Sequence, residues 1–334
     1  MPPESKMKIL VTGGAGYIGS HTCKALAASG FEPVIYDNLS RGNRWAVKWG
    51  PLEVGDIADQ KRLSEVLQRH KPVAAVHFAA FAYVGESVTD PNLYYQNNVC
   101  GSATLLRALT ESGSIPIVFS STCATYGIPD TIPIPEEHAQ HPINPYGFTK
   151  LIVERMLSDA SQAYDLRSVS LRYFNAAGAD PAGEIGEAHD PETHLIPLVL
   201  AAARDGTAVT IFGDDYETED GTCVRDYIHV TDLADAHIRA LKYLLAGGPT
   251  CAVNLANSRG SSVLDVIETA QRVCGKSIRV KRSPRRPGDP AVLIGSAERA
   301  RTLLGWTPMR SSLEMQITDT WNWMLKNKQQ PTEP

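Results

Sequence analysis

Residues 8–19 constrain this chain more than any other stretch. Lys8-Ile-Leu-Val-Thr12 reads as a buried strand that runs directly into Gly13-Gly-Ala-Gly16-Tyr-Ile-Gly19, and a helical pattern continues through Leu26. Strand, glycine turn and helix in that order make a dinucleotide site. The glycines permit a tight turn and let the backbone approach a pyrophosphate, whose charge the N-terminus of the following helix stabilises. The spacing is Gly-x-x-Gly-x-x-Gly, a variant of the more familiar pattern. A second strand, Pro33-Val-Ile-Tyr-Asp37, ends in an acid at the distance where a carboxylate takes the adenosine ribose. A carboxylate there repels a 2′-phosphate, so NAD is expected rather than NADP. Arg41 and Arg44 follow closely and read as solvated surface arginines.

Strand-like runs recur at Leu52–Ile57, Val73–Ala80, Ile115–Ser121 and Ser168–Phe174, with helical patterns between them at Asp59–His70, Leu93–Ser112 and Tyr146–Ala163. Such alternation predicts an α/β fold with a Rossmann-like, doubly wound parallel sheet. After Asn175 a Gly-, Pro- and acid-rich stretch, Ala176–Thr193, reads as a loop leaving the first domain. A periodic helix at Asp232–Leu245, a strand at Ala252–Ala256 and a capping box opening a helix at Ser262-x-x-Asp265 follow. The expected division is a nucleotide-binding domain over 7–175 with a return segment near 228–256. A smaller α/β substrate-binding domain takes 176–227 and 257–328. The polar tail after Lys326 is expected to fray.

A length of 334 residues suits one large domain with a smaller one appended, and a net charge of −5 leaves no basic footprint for nucleic acid. The six cysteines (Cys23, Cys100, Cys123, Cys223, Cys251, Cys274) contain no Cys-x-x-Cys pair. Neither a zinc site nor a disulfide framework is expected, and a reducing cytoplasm suits them. Met1-Pro-Pro-Glu-Ser-Lys6 lacks the apolar run of a signal peptide, and no stretch has the roughly 18 apolar residues of a membrane span. A soluble protein with no metal is the expectation.

The chemistry is carried by Tyr146-Gly-Phe-Thr-Lys150. On a helix, positions i and i+4 share a face, so Lys150 is expected to stand beside the Tyr146 hydroxyl and favour its ionised form. A free tyrosine has a pKa of about 10, and one neighbouring charge lowers an acid by about 1 to 3 units. A second cation, such as an oxidised nicotinamide, would complete the shift.

Several ordered segments now resemble the extended short-chain dehydrogenase/reductase family, and within it the UDP-sugar 4-epimerases, from about Met7 to Lys326. They are Val11-Thr-Gly-Gly-Ala-Gly-Tyr-Ile-Gly-Ser-His21, Val84-Gly-Glu-Ser87, Asn144-Pro-Tyr-Gly-Phe-Thr-Lys150, Leu171-Arg-Tyr-Phe-Asn-Ala-Ala-Gly178 and Thr218-Glu-Asp-Gly-Thr-Cys-Val-Arg-Asp-Tyr-Ile-His229. The resemblance implies interconversion of UDP-galactose and UDP-glucose through a transient 4-keto intermediate, with NAD tightly bound. Tyr146 would be the acid/base group and Lys150 its electrostatic partner and nicotinamide-ribose ligand. Thr122, where serine often stands, would hydrogen-bond the substrate oxygen.

By the same resemblance NAD is contacted by Gly13, Gly16, Tyr17, Ile18, Gly19, Asp37, Asn38, Asp56, Ile57, Phe78, Ala79, Ala80, Asn97, Tyr146, Lys150 and Tyr173. Phe78, Ala79 and Ala80 read equally well as the end of a buried strand. On the substrate side, Asn175, His194 and Leu195 would lie near the phosphates, Arg225 and Arg286 on the diphosphate, Asp289 on the uridine ribose, and Leu293 would wall the sugar pocket. His194 replaces a frequent asparagine and would make binding pH-dependent; Ala82 replaces a frequent lysine and removes one charge contact to NAD. A homodimer is implied, with the helices around Leu93–Ser112 and Tyr146–Ala163 at its interface.

Other chemistries remain to be weighed. The run Ser120-Ser-Thr-Cys-Ala-Thr-Tyr-Gly127 also resembles enzymes that interconvert UDP-xylose and UDP-arabinose. Nucleotide-sugar dehydratases share the tyrosine–lysine pair but place a carboxylate soon after the strand-end hydroxyl, where this chain has Cys123-Ala124-Thr125. A non-enzymatic NAD-binding regulator would have no use for Tyr146 and Lys150.

Overall fold

The computed structural model describes residues 6–286 and 288–327. The strands are β1 Lys8–Thr12, β2 Glu32–Asp37, β3 Leu52–Val54, β4 Ala74–His77, β5 Ile117–Thr122, β6 Ser168–Tyr173, β7 Asn175–Ala177, β8 Ala208–Phe212, β9 Val224–His229, β10 Cys251–Leu255, β11 Gly260–Ser262, β12 Arg279–Ser283 and β13 Val292–Leu293. The helices are α1 Tyr17–Ala28, α2 Gln60–His70, α3 Val84–Thr89, α4 Pro91–Tyr94, α5 Ser102–Glu111, α6 Pro145–Tyr164, α7 Leu195–Asp205, α8 Val230–Leu245, α9 Val263–Cys274, α10 Glu298–Leu304 and α11 Leu313–Asn327.

A seven-stranded sheet in the order β10-β6-β5-β4-β1-β2-β3 forms the centre, and every neighbouring pair in it is parallel. The order reverses between β1 and β4, the point at which a doubly wound sheet opens a crevice for ligands. Side chains alternate between faces along each strand. Ile9 and Val11 therefore pack with α1 and α8 residues such as Leu26 and Leu241, while Leu10 joins Leu63, Leu109 and Leu157 from α2, α5 and α6 on the other face. Both faces are covered, which is why the strands read as continuous apolar runs.

Beyond this sheet, β9 pairs with β11, β13 and β7, and β8 pairs with β12. A third apolar cluster gathers Leu200, Val209, Ile267 and Ile317 from α7, β8, α9 and α11. The stretch read as a pure loop, Ala176–Thr193, begins inside β7, whose parallel pairing with β9 aligns Asn175 with Tyr227. That pairing is long-range and leaves no local signal. The Ser262/Asp265 capping box at α9 is present with both reciprocal hydrogen bonds.

Two strands stop earlier than their apolar runs. After His77 the backbone turns toward the glycine loop, and the N–H groups of Phe78 and Ala79 both donate to the Thr12 carbonyl, at 2.9 and 3.1 Å. After Val54 the Asp56 carboxylate accepts from Ala58 N–H at 2.8 Å and closes a local turn instead of a ladder. The expected helix over Leu93–Ser112 begins at Pro91, behind an Asp90 cap, and is wound as a π-helix over Tyr95–Gly101 before α5. The polar tail from residue 328 lies outside the described residues.

The glycine turn is set by close approaches. Gly13 has φ +72, and a methyl there would lie 2.6 Å from the Ala79 nitrogen; a methyl on Gly19 would lie 2.2 Å from the Gly13 carbonyl oxygen. By contrast, a methyl on Gly85 in α3 meets nothing within 4 Å. Gly19→Ala is therefore expected to cost at least about 1–3 kcal/mol, while Gly85→Ala is neutral or gains about 0.5–1 kcal/mol from helix propensity. Urea midpoints of the two variants check this; equal midpoints would remove the steric account of the turn.

Candidate active site

The turn ends at Gly16, whose backbone is extended and which offers α1 no side-chain cap. The first N–H groups of α1, at Tyr17, Ile18 and Gly19, have no intrahelical acceptor and point toward any anion held above the turn. The Tyr17 side chain is used elsewhere: its hydroxyl donates to the Gly178 carbonyl at 2.5 Å and ties α1 to the segment after β7. Asp37 ends β2 as expected. Its Oδ2 accepts from Ala15 N–H at 3.0 Å and its Oδ1 from Leu39 N–H at 2.8 Å, so the carboxylate is fixed beside the turn. Burial raises its pKa, and those two N–H groups draw it back down.

Asn38 donates to Asp56 Oδ2 at 2.8 Å, which joins two of the expected cofactor residues directly. Ile57 is buried behind them. Arg41 is occupied, paired with Glu86 at 2.6 Å and lying over the rings of Phe81 and Tyr83, while Arg44 is exposed. Phe78 and Ala79 bring their backbone against Gly13, with the Phe78 ring 4.7 Å from that of His237. Free helix N–H groups for a pyrophosphate and a fixed carboxylate for a ribose fit a dinucleotide.

The acid/base pair comes from α6. Asn144 caps this helix, its Oδ1 accepting from Gly147 N–H at 2.8 Å, and Pro145 occupies the first turn. Tyr146 and Lys150 therefore stand one turn apart, facing the end of β5. The Tyr146 hydroxyl faces Thr122, which acts to lower its pKa, and lies close to Tyr173 and Cys123. Lys150 is buried, with Nζ donating to the Ser120 carbonyl at 2.8 Å. Its ammonium lies 4.9 Å from the Phe119 ring centre and 6.0 Å from that of Tyr146. Tyr173 shares a short hydrogen bond with Ser120.

The spacing was legible, but the direction of the phenol's shift was not. Tyr146 is raised above the ordinary tyrosine range, first by burial and then by Tyr173, with the Thr122 hydrogen bond opposing. Burial lowers Lys150 to about 7, against a pull upward from Glu154. Two desolvated groups, with the amine 6.0 Å from the phenol's ring centre, do not reproduce the shift expected for a tyrosine beside a full, fixed charge.

Two further residues hold the pair. Buried Asn98, from the π-wound turn, accepts from Phe81 N–H at 2.8 Å, donates to the Phe81 carbonyl at 3.0 Å and reaches Thr149 Oγ1 at 3.2 Å. It clamps the segment after β4 to the residue beside Lys150. The expected Asn97 instead donates to Asn98 Oδ1 at 2.9 Å. Glu154, one turn after Lys150, receives Arg172 at 2.6 Å and Ser121 at 2.5 Å. An i, i+4, i+8 reading of α6 would have found Glu154; Asn98 carries no such pattern.

On the substrate side, Asn175 Nδ2 donates to the Asp226 carbonyl at 3.3 Å. Arg225 and Asp289 are ion-paired with each other, and Arg225 Nη1 also donates to the Val224 carbonyl at 2.8 Å. Arg286 stacks over Phe212, its guanidinium carbon 4.1 Å from the ring centre. Leu293, half-buried, pairs in register with Arg225. Leu195 opens α7, and His194 is that helix's N-cap.

His194 corrects a second expectation. Its Nδ1 lies 2.9 Å from Glu187 and 2.9 Å from Glu192, and these carboxylates raise its pKa to about 10. The imidazole keeps its charge through neutrality, so no switch lies there near pH 7. His189 joins the same carboxylates.

Three comparisons bear on this geometry. The NAD dependent epimerase/dehydratase family matches residues 9–256. A UDP-glucose 4-epimerase of Rhizobium meliloti is 55% identical over 324 residues, 96% of this chain and 98% of its own. Among solved structures, UDP-glucose 4-epimerase from Brucella ovis in complex with NAD superposes with a TM-score of 0.93 at 52% identity, covering 95% of this chain and 98% of the other. UDP-glucose-4-epimerase from Stenotrophomonas maltophila, with bound NAD and formylated UDP-arabinopyranose, gives 0.93 at 39%, covering 96% and 99%.

The lowered pKa of Lys150 sets a pH signature. Unfolded, the amine stays protonated up to about 10.5; folded, it gives up its proton at about 7. Between those values the unfolded chain binds more protons, so this group makes stability rise with pH. Lys150→Met should abolish that rise. Urea denaturation of both nucleotide-stripped chains from pH 6 to pH 10 measures it; a stability difference independent of pH would contradict the buried, deprotonating lysine.

Proposed function

The chain belongs to the NAD dependent epimerase/dehydratase family, and on that premise we propose that it interconverts UDP-glucose and UDP-galactose by inverting the sugar's C4. The observation that carries the proposal is the meeting of Tyr146, Thr122 and Lys150 at the end of β5, beside a glycine turn shaped for a dinucleotide. Several curated UDP-glucose 4-epimerases at about this length support it.

We assign the nucleotide-binding region to 7–175 with a return over 228–256, and UDP-sugar binding to 176–227 and 257–328. NAD would be held by the α1 N–H groups, Asp37, Asn38, Asp56 and the backbone of 78–80, with Tyr173, Asn97 and Lys150 toward the nicotinamide end. When bound, NAD supplies an acceptor for the C4 hydride and returns it, so no net electrons are consumed. Tyr146 acts as the base in its phenolate form, which the positive charge of a bound oxidised nicotinamide would favour over the buried neutral phenol; it takes the proton from the 4-hydroxyl and gives it back, and a 4-keto sugar lies between the two transfers. Thr122 donates a hydrogen bond to that oxygen. Lys150, donating to the Ser120 carbonyl, stands beside the phenol and toward the nicotinamide ribose.

Inversion requires the ring to turn over, so the sugar must be held loosely and the nucleotide firmly. Firm contacts are assigned to the diphosphate and uridine: Asn175, the α7 N-terminus at His194 and Leu195, Arg225, Arg286 and Asp289. The Arg225–Asp289 pair holds the guanidinium in place. Cys123-Ala124-Thr125 follows Thr122 without the carboxylate a dehydratase needs. Exposed Phe148 on α6 and exposed Cys100 near α5 support a homodimer through these helices. Among the described residues no helix is long and apolar enough to cross a membrane, and all six cysteines are free. A cytoplasmic enzyme accords with both.

Tyr146→Phe should keep the fold and retain NAD while turnover of UDP-galactose falls by about 10²- to 10⁴-fold, the range for a general acid/base group. Near-normal turnover would remove Tyr146 from the chemistry. Nucleotide retention is read from the supernatant after acid precipitation.

Leu293 is intermediate between a bulky residue and a small one, and an acetamido group turning past it should cost about 1–3 kcal/mol, or roughly 5- to 150-fold in rate. UDP-galactose should be preferred over UDP-N-acetylgalactosamine by that factor, and Leu293→Ser should narrow it. Equal specificity constants in the unaltered enzyme would show that Leu293 is no gate.

A further inference from the structure

Between β7 and α7 the chain carries Glu187-x-His189-x-x-Glu192-x-His194. The fold turns all four side chains inward on one point, and one ligand-type atom from each lies within 4.8 Å of all the others. His189 Nδ1 is 3.1 Å from Glu187 Oε1 and 3.7 Å from Glu192 Oε2. His194 Nδ1 is 2.9 Å from an oxygen of each carboxylate. Bonds of about 2.0–2.2 Å place the donors of a tetrahedral zinc ion roughly 3.3 Å apart; the histidine–carboxylate pairs lie within a few tenths of an ångström of that spacing, and no pair in the quartet exceeds 4.8 Å.

The donors are also pre-oriented. Glu187 is buried. Glu192 Oε1 is fixed by the N–H groups of Thr193 and His194, both at 2.8 Å. Edge-to-face contacts with Tyr17 and Tyr83, at 6.2 and 5.9 Å between ring centres, hold the His189 imidazole, and the Tyr83 ring lies 6.5 Å from that of His194. Among the described residues no lysine or arginine pairs with either glutamate. A cation would displace the imidazole protons, and the quartet without them carries two negative charges, which one divalent cation neutralises. A nitrogen and carboxylate donor set of this kind suits zinc and its transition-metal neighbours better than magnesium or calcium, which favour all-oxygen shells.

We propose that Glu187, His189, Glu192 and His194 form a binding site for one divalent transition-metal ion of the zinc class. The ion is structural: it closes the segment over 187–194 on itself, at a place where Ala188 and His189 line one crevice with Ala15, Gly16 and Tyr17. It takes no part in the acid/base chemistry at Tyr146, and the site stands whether or not the sugar assignment above holds.

The test uses the full-length, untagged chain, dialysed against chelator and titrated with zinc chloride by calorimetry, with thermal melts in parallel. One ion per chain is expected, with a melting temperature that rises on adding zinc and falls back with EDTA. His189→Ala and Glu192→Gln should each weaken binding by more than about tenfold and abolish the melting shift. Glu192→Gln keeps shape and volume, and serves if the alanine variant folds poorly. His138→Ala, at the separate pair with exposed Asp130, should leave zinc binding and the zinc-induced melting shift unchanged. Absence of saturable binding in the unaltered chain would overturn the proposal, and so would binding that survives both quartet substitutions or is lost with His138.

Discussion

Everything at the functional end of this molecule depends on how closely two backbones approach at the edge of the central sheet. The Thr12 carbonyl accepts from both Phe78 and Ala79, and Gly13 turns away with the Ala79 nitrogen where its side chain would be. This contact ends β1 and β4 together and opens the crevice at the point where strand order reverses. It also directs the α1 N-terminus across that crevice. Any side chain at Gly13 or Gly19 separates the layers, so the glycines are packing constraints before they are ligand contacts.

The same edge supplies the chemistry through β5, two strands away from the turn. Thr122 ends that strand, and Ser120, two residues earlier, gives its carbonyl to Lys150. Burial works against both ionisable partners: the phenol is pushed up and the amine down to about 7. The neutral tyrosine is the acid form of the pair, and loss of its proton creates the base form. A reversible epimerisation uses both forms in turn, since the group that removes a proton must return it.

Legibility followed locality. The strand, turn and helix at Lys8–Ala28, the acid at Asp37 and the helical spacing of Tyr146 and Lys150 are all short-range patterns, and each stood where its residues placed it. What escaped depends on contacts between distant parts of the chain. β7 is formed only because β9 lies beside it, and Arg225 meets Asp289 across 64 positions. Asn98 rather than its neighbour Asn97 clamps Phe81, because π winding shifts which residue faces inward. The sign of the Tyr146 shift was lost for another reason: spacing reports a neighbour's charge but says nothing of the desolvation that outweighs it.

Inversion at one carbon with nothing gained or lost is the central claim, and the fate of the C4 hydrogen tests it most directly. UDP-glucose carrying deuterium at C4 would be converted in ordinary water and the UDP-galactose formed examined by NMR and mass spectrometry. Full retention of deuterium at C4, now on the opposite face, is the predicted result. Loss of the label to solvent, or a keto or dehydrated sugar as the end product, would contradict it.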